Sequence, residues 1–516
     1  MKSMKRLGGF LMAAVMLLGF GVTALADSTY TLTITGGKTG HTYEAYQIFT
    51  GTLYEDTAND KTVLSDIEWG DGINDVDFLS ALQGSASLGS AFADCDTAAK
   101  VAKVLSDHNT DKSFAETFAQ LASENLSSTV AGTGTESPAG TYTIGGLKAG
   151  YYLIKDQDGS VTAKDDAYTD IILEVVKDTN ATVKAVYPGV EKEADIEDAG
   201  IGDTVTYTLT GTVPDTSAYT SYTYIFHDTL SAGLTVDEDS FEVTKEGEST
   251  PLLTGTDYTL VVGTYNSSTG TPITITMLDA KNLSGKEITV TYEAEVNEHA
   301  VIGNDGNLNT VYVEYSNNPN GSGTGTTTEE KVVTFTFELD VTKVDKDNPA
   351  KTLEGAQFVL YKMVNGSPSY VQIDAASQKV TGWTGVEGQA STLSSDSSGS
   401  FSVIGLDVGT YYLKETKAPN GYNKLSAPVT LVIAAVYEDT DNDGLDEVSS
   451  LTVQVGTDAA VESADSDKSS VDISVENSTG STLPGTGGIG STIFYLTGSI
   501  LILGAAALLF IKKRAK

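Results

Sequence analysis

One cysteine, Cys95, stands in 516 residues, so no internal disulfide can brace the chain. Basic residues are scarce: 31 Lys and Arg face 70 Asp and Glu, a net charge of −39. That balance argues against nucleic acid or an acidic lipid surface as a partner. The four histidines, His227 and His299 among them, show no metal-ligand spacing. No nucleophile–base set and no phosphate-cradling glycine loop is present, so a turnover enzyme is not expected. Long apolar runs are missing except at the two ends, and both ends lack acidic residues.

The N-terminal run reads as an export signal over 1–26. Lys2, Lys5 and Arg6 open it, and an apolar stretch from Leu7 to about Val22 follows. Ala24-Leu25-Ala26 gives the small-x-small site of a signal peptidase, with cleavage between Ala26 and Asp27. At the other end Leu483-Pro484-Gly485-Thr486-Gly487 precedes an apolar span, 493–511, and a basic tail, 512–516. The span is about bilayer length, and the basic tail stays on the cytoplasmic side. Removing the seven basic residues of the ends leaves 24 against 70 acids between Asp27 and Thr486, a net of −46. Such a charge suits a solvated extracellular rod.

The interior is expected to be mainly β. From Thr204 to Thr210 and from Glu287 to Val296, apolar and polar residues alternate with period two, as in half-buried strands. About 75–126 differs. Phe78, Leu79 and Leu82, then Ala98, Val101, Val104 and Leu105, then Phe114, Phe118 and Leu121 recur at helical spacing. A repeat is also visible: Thr143 to Lys155 matches Ser402 to Lys414, each a strand, a glycine turn and a strand. The first and last domains are therefore expected to share one sandwich, the first with a helical insertion. Tyr187-Pro188-Gly189 and the stretch Asn320 to Gly325 read as turns or short linkers. Three immunoglobulin-like sandwiches are placed at 27–186, 187–328 and 329–480, with the sorting region at 481–516.

Together, pentapeptide, span and tail resemble the cell-wall sorting signal of Gram-positive surface proteins. The resemblance implies attack by a sortase cysteine on the Thr486 carbonyl, release of Gly487 onward, and transfer of Thr486 to an amine. Lys343, the run from Gly409 to Thr416, Ala418 to Tyr422, and Val475-Glu476-Asn477 look like a collagen-adhesin B-type domain. Tyr224 to Ser231 and Asn309 to Pro319 resemble the fimbrial isopeptide domain of major pilins. The whole chain is similar to backbone subunits of sortase-assembled pili.

These resemblances imply spontaneous Lys–Asn isopeptide bonds. The chemistry needs a neutral amine, a carboxamide and a protonated acid, which burial in an apolar core favours. In the third domain the roles fall to Lys343 as nucleophile, Asn477 as electrophile and Glu415 as acid. In the second they fall to Lys192, Asp228 and either Asn309 or Asn317, with Asn309 preferred and Glu293 as a spare acid. The first domain departs from the pattern: Thr29 to Gly36 holds no lysine, and Asp156 matches Glu415. No bond is expected there.

Backbone pilins link head to tail through a lysine that ends a Val-Tyr-Pro-Lys motif. Here Val186-Tyr187-Pro188 is followed by Gly189, so Lys184 is the nearest candidate and Lys192 the next. Asp439, Asp441, Asp443 and Glu447 resemble half of a calcium loop, although the twelfth position is Ser450; otherwise no cofactor is expected. The expected function is a structural pilus-shaft subunit on the cell wall. The alternative is a wall-anchored adhesin or accessory pilin with a host ligand. Its expected partners are pilin-class and housekeeping sortases, other pilin subunits and peptidoglycan.

Overall fold

The computed structural model describes residues 28–56, 61–183, 187–319, 321–479 and 494–502. The signal segment with Ala26 and Asp27, Lys184, the pentapeptide Leu483 to Gly487 and the basic tail lie outside them. Residues 494–502 are helical with exposed apolar side chains. No described helix is long and apolar enough to cross a membrane.

In the first domain, the strands Tyr30–Thr35, Thr141–Leu147, Thr179–Thr182 and Thr135–Glu136 form one sheet. The facing sheet holds Lys61–Trp69, Tyr43–Asp56, Gly150–Asp156, Asp170–Val175 and the short Gly132–Thr133. Alternation turns Leu32, Ile34, Tyr43, Tyr142, Ile144 and Ile154 into the space between them. Four helices, Asp75–Gly84, Gly89–Phe92, Ala98–Asp107 and Lys112–Ser123, follow Trp69 and cover the outer face of the second sheet. Thr97 and Asp111 cap the helices Ala98–Asp107 and Lys112–Ser123 by accepting the amides of Lys100 and Phe114. Phe78, Phe92 and Phe118 are fully buried there against Phe49 and Leu153. Each such side chain stabilises by about 1.5–3 kcal/mol.

In the second domain one sheet runs Gly189–Ala194, Thr204–Thr212, Glu287–Val296, Leu234–Val236. The other runs Tyr258–Val262, Thr271–Met277, Tyr224–Leu230, Asn307–Ser316, Thr324–Thr326. Glu330–Thr334 also pairs with Asn307–Ser316. The second sandwich therefore extends past the expected boundary at 328. The reason is local: no turn residue interrupts the strand pattern there. The stretch expected as a turn or linker near 320–325 is a hairpin return inside this sheet, with Thr324–Thr326 antiparallel to Glu314, Tyr315 and Ser316.

The third domain repeats the plan of the first. Phe337–Asp345 lies between the antiparallel Ser400–Leu406 and the parallel Ser470–Asn477. Tyr30–Thr35 has the same two kinds of neighbour, Thr141–Leu147 and Thr179–Thr182. The facing sheet of the third domain is built on Gln357–Val364, Gly409–Lys417, Val429–Glu438 and Glu447–Val455.

Candidate functional sites

In the third domain, Lys343 lies opposite Val475 and Asp345 opposite Asn477 across the parallel pair. Two-residue alternation turns Lys343 and Asn477 to the same inner face. Lys343 is 0%, Asn477 1% and Glu415 2% exposed. Glu415 comes from Gly409–Lys417 in the facing sheet. Its Oε1 accepts Asn477 Nδ2 at 2.9 Å, and its Oε2 accepts the Leu425 amide at 2.7 Å. Lys343 Nζ donates to the Val475 carbonyl at 2.6 Å. Burial pushes the lysine down to about 8, against the pull of Glu415 and Glu476. A useful share of the amine is thus neutral at mild pH.

The second cluster bridges the two sheets of its sandwich. Lys192 and Tyr292 project from one sheet, Asp228 and Asn309 from the other. Lys192 Nζ donates to Asp228 Oδ2 at 2.8 Å, and the Tyr292 hydroxyl donates to the same oxygen at 2.8 Å. Asn309 Nδ2 donates to that hydroxyl at 2.7 Å. Tyr207 and Tyr292 hold their rings 5.4 and 5.7 Å from Nζ. Burial raises the Asp228 carboxyl and lowers the Lys192 amine, and each partner's charge opposes the shift of the other. Both directions favour a neutral acid and a neutral amine.

Asn317, the other candidate, is elsewhere. Its Nδ2 reaches the Asp166 carbonyl at 3.3 Å, at the seam with the first domain. Glu293 is exposed, because Glu287–Val296 turns Ile288, Val290, Tyr292 and Ala294 inward and its acids outward. It cannot serve as the spare acid. Tyr292 was not singled out in the sequence. The same alternation could have found it, as a polar group on an otherwise apolar phase. Lys192 is enclosed and cannot also offer its amine to another subunit.

In the first domain the matching positions hold other residues. Ile144 pairs with Leu32, and its repeat counterpart Val403 pairs with Leu339. Counting on, Gly36 takes the place of Lys343. Gly36 has φ +87°, and a Cβ there would lie 2.6 Å from the Val183 carbonyl oxygen. The parallel partner in register puts Val183 where Val475 stands; two residues on, the sequence reads Ala185 in the first domain and Asn477 in the third. Asp156, the counterpart of Glu415, pairs instead with a histidine. Its Oδ1 accepts His41 Nδ1 at 2.7 Å, and Asp166 Oδ2 accepts His41 Nε2 at 2.9 Å. Burial opposes the imidazolium, but the two carboxylates outweigh it and raise His41 to about 9. No spacing rule in the sequence points to His41, because its partners arrive from a distant strand end and a distant loop.

Asp439, Asp441, Asp443 and Glu447 do converge, with ligand atoms within 4.8 Å of one another. Of these carboxylates, Asp439 accepts hydrogen bonds within the turn from the Asp443 and Gly444 amides, and Glu447 from the Thr440 amide.

Comparison with known proteins gives three matched segments. Residues 201–319 match the Gram-positive pilin backbone subunit 2, Cna-B-like domain. Residues 337–444 match the SpaA prealbumin-like fold domain, and 475–516 the LPXTG cell wall anchor motif. The Cna-B-like description thus falls on the second domain. Among solved structures, the three-domain T6 backbone pilin of serotype M6 Streptococcus pyogenes shares 17% identity over 89% of this chain and 100% of that one, with a TM-score of 0.54. The major pilin SpaD of Corynebacterium diphtheriae shares 18% over 88% and 98%, with a TM-score of 0.47. The group B streptococcus pilus 2b backbone protein shares 26% over 57% and 99%, with a TM-score of 0.42. No curated protein sequence matches the chain.

The matched segments define a secreted surface protein anchored to the cell wall and built from pilin domains. More narrowly, a pilin-backbone domain joined to a wall-anchor motif makes the chain a sortase-anchored structural subunit of a pilus shaft.

Proposed function

We propose that each subunit of this shaft is locked by two internal amide bonds, Lys343–Asn477 and Lys192–Asn309, and is then joined to its neighbours through Thr486. One observation carries the reading. In both clusters a fully buried lysine, acid and asparagine come together across strands distant in sequence. The lysine nitrogen attacks the carboxamide carbon, the new C–N bond forms, and the amide nitrogen leaves as ammonia. The acid, Glu415 or Asp228, carries the proton from amine to leaving group. In the second cluster Tyr292 orients both Asp228 and Asn309. Asn477 Oδ1 and Asn309 Oδ1 are buried without a hydrogen-bond partner. An unmet buried acceptor costs about 1–3 kcal/mol, and a protonated acid beside the finished amide would relieve it.

A pilin-class sortase forms the inter-subunit bonds, and a housekeeping sortase passes the last Thr486 to peptidoglycan. Intact-mass measurement of a 27–482 fragment tests the internal bonds. The expected mass is the sequence mass less two ammonia molecules, and an unaltered mass overturns both. Boiling a wall extract in denaturant tests the shaft. A high-mass ladder is expected, and a single band overturns it.

A further inference from the structure

We propose that Lys38, in the loop between Tyr30–Thr35 and Tyr43–Asp56, is the amine that receives the Thr486 acyl group of the next subunit. The proposal rests on the shaft reading above and names its acceptor.

Gly189 leaves the Tyr187-Pro188-Gly189 turn with no amine of its own. The gap is not steric: position 189 is exposed, and the nearest atom to a Cβ there is Thr212 Oγ1 at 3.9 Å. Lys38 brings an amine to that turn from another part of the chain. Its Nζ sits 4.6 Å from the centroid of the Tyr187 ring. It also donates to the Asp165 carboxylate at 2.9 Å and to the Asp165 carbonyl. Its side chain is 40% exposed, so the amine is reachable and yet held in place. Lys192 and Lys343 are enclosed in cores. Lys100, Lys103 and Lys112 lie on the helices, each paired to an acid four residues away.

The surroundings are unusually firm for a surface loop. The Tyr142 hydroxyl donates to the Lys38 carbonyl at 2.7 Å and accepts the His41 amide at 3.0 Å. Glu136 accepts the Gly40 amide at 3.2 Å. Beneath Lys38, the Tyr187 hydroxyl donates to Asp166 Oδ1 at 2.8 Å, and Asp166 continues to His41 and Asp156. Buried charges are costly to maintain, and such clusters gather at functional sites. This one lies in the domain without a crosslink, and it fixes the floor on which Lys38 rests. An acceptor already oriented for attack needs less ordering when it enters a sortase cleft.

The step balances as follows. The Lys38 ammonium gives one proton to Asp165. The amine attacks the Thr486 carbonyl carbon, held as a thioester on the sortase cysteine. A C–N bond forms, the C–S bond breaks, and the second proton goes to the departing sulfur.

Lys38→Arg, made in the full chain in cells bearing its pilin sortase, is the test. Arginine keeps the positive charge and the ring contact but is not an acyl acceptor. The expected result is loss of the ladder, with monomer still exported and the His41 ring of the purified variant still titrating near 9, which shows that the first domain folds. Lys184→Arg is expected to leave the ladder intact. Tandem mass spectrometry of wild-type polymer should find Thr486 joined to Lys38. A ladder that survives Lys38→Arg, or Thr486 found only on another lysine, overturns this proposal alone. A wild-type chain without a ladder overturns the shaft reading and the proposal with it.

Discussion

Tyr30–Thr35 and Phe337–Asp345 hold the same place in their sandwiches, each between an antiparallel and a parallel neighbour. What differs is the residues aligned in sequence. The third domain has Lys343, Glu415 and Asn477; the first has Gly36, Asp156 and Ala185. Where the third domain sets an amine, the first bends its backbone at a left-handed glycine against Val183. The acid that remains, Asp156, is neutralised by His41 rather than by a lysine. A common strand plan therefore supports two uses of one buried acid. In one domain it accepts the side-chain amide of Asn477 beside a buried lysine. In the other it pins a loop.

The largest expected effect comes from Asn477→Ala, which makes the third domain resemble the first. It should restore the mass of one ammonia and remove the covalent closure. By the chain-entropy estimate for long closed loops, about 5 kcal/mol of stabilisation goes with it. Calorimetry of wild type and variant checks this as a lowered unfolding temperature. Glu415→Ala should give the same mass change with both partners still present.

His41→Gln attacks the first domain's alternative. It leaves Asp156 and Asp166 close together in a buried site without a cation, at a cost of about 3–5 kcal/mol. Denaturant unfolding should show the loss in the first domain's transition.

Grafting the third domain's chemistry onto the first, by Gly36→Lys with Ala185→Asn, is expected to fail. The mass should show no additional ammonia lost, and the left-handed backbone at 36 should destabilise the domain by about 1–3 kcal/mol. A further ammonia lost would refute the steric account of Gly36.

The mildest perturbation is pH. His41 is raised from 6.5 to about 9, so the folded domain binds its proton more tightly than the unfolded chain. Its contribution is complete below pH 6.5 and is lost as pH rises through about 9. NMR titration of the His41 ring should give a midpoint near 9 in the wild type.

Much of this was legible in the residues. The third cluster could be read because Lys343, Glu415 and Asn477 each sit on a strand with clear alternation. In the second, Lys192 and Asp228 could be read for the same reason. The choice between Asn309 and Asn317 could not, since both occupy inward positions on one strand or at its end, and only the opposing sheet separates them. His41, Asp166 and Tyr187 left no trace. Each is an ordinary loop or turn residue until three distant segments meet.

By itself the sequence determined the wall-anchor motif, the β class, the repeat and the residue types that an amide crosslink requires. Those follow from local patterns: hydropathy, period-two alternation and short motifs read along the chain. Only the tertiary structure decided which asparagine faces Lys192, why Gly36 excludes a lysine, and that Lys38 rests on Tyr187. These depend on contacts between segments far apart in sequence, where distance, burial and register are set by packing and no local pattern records them.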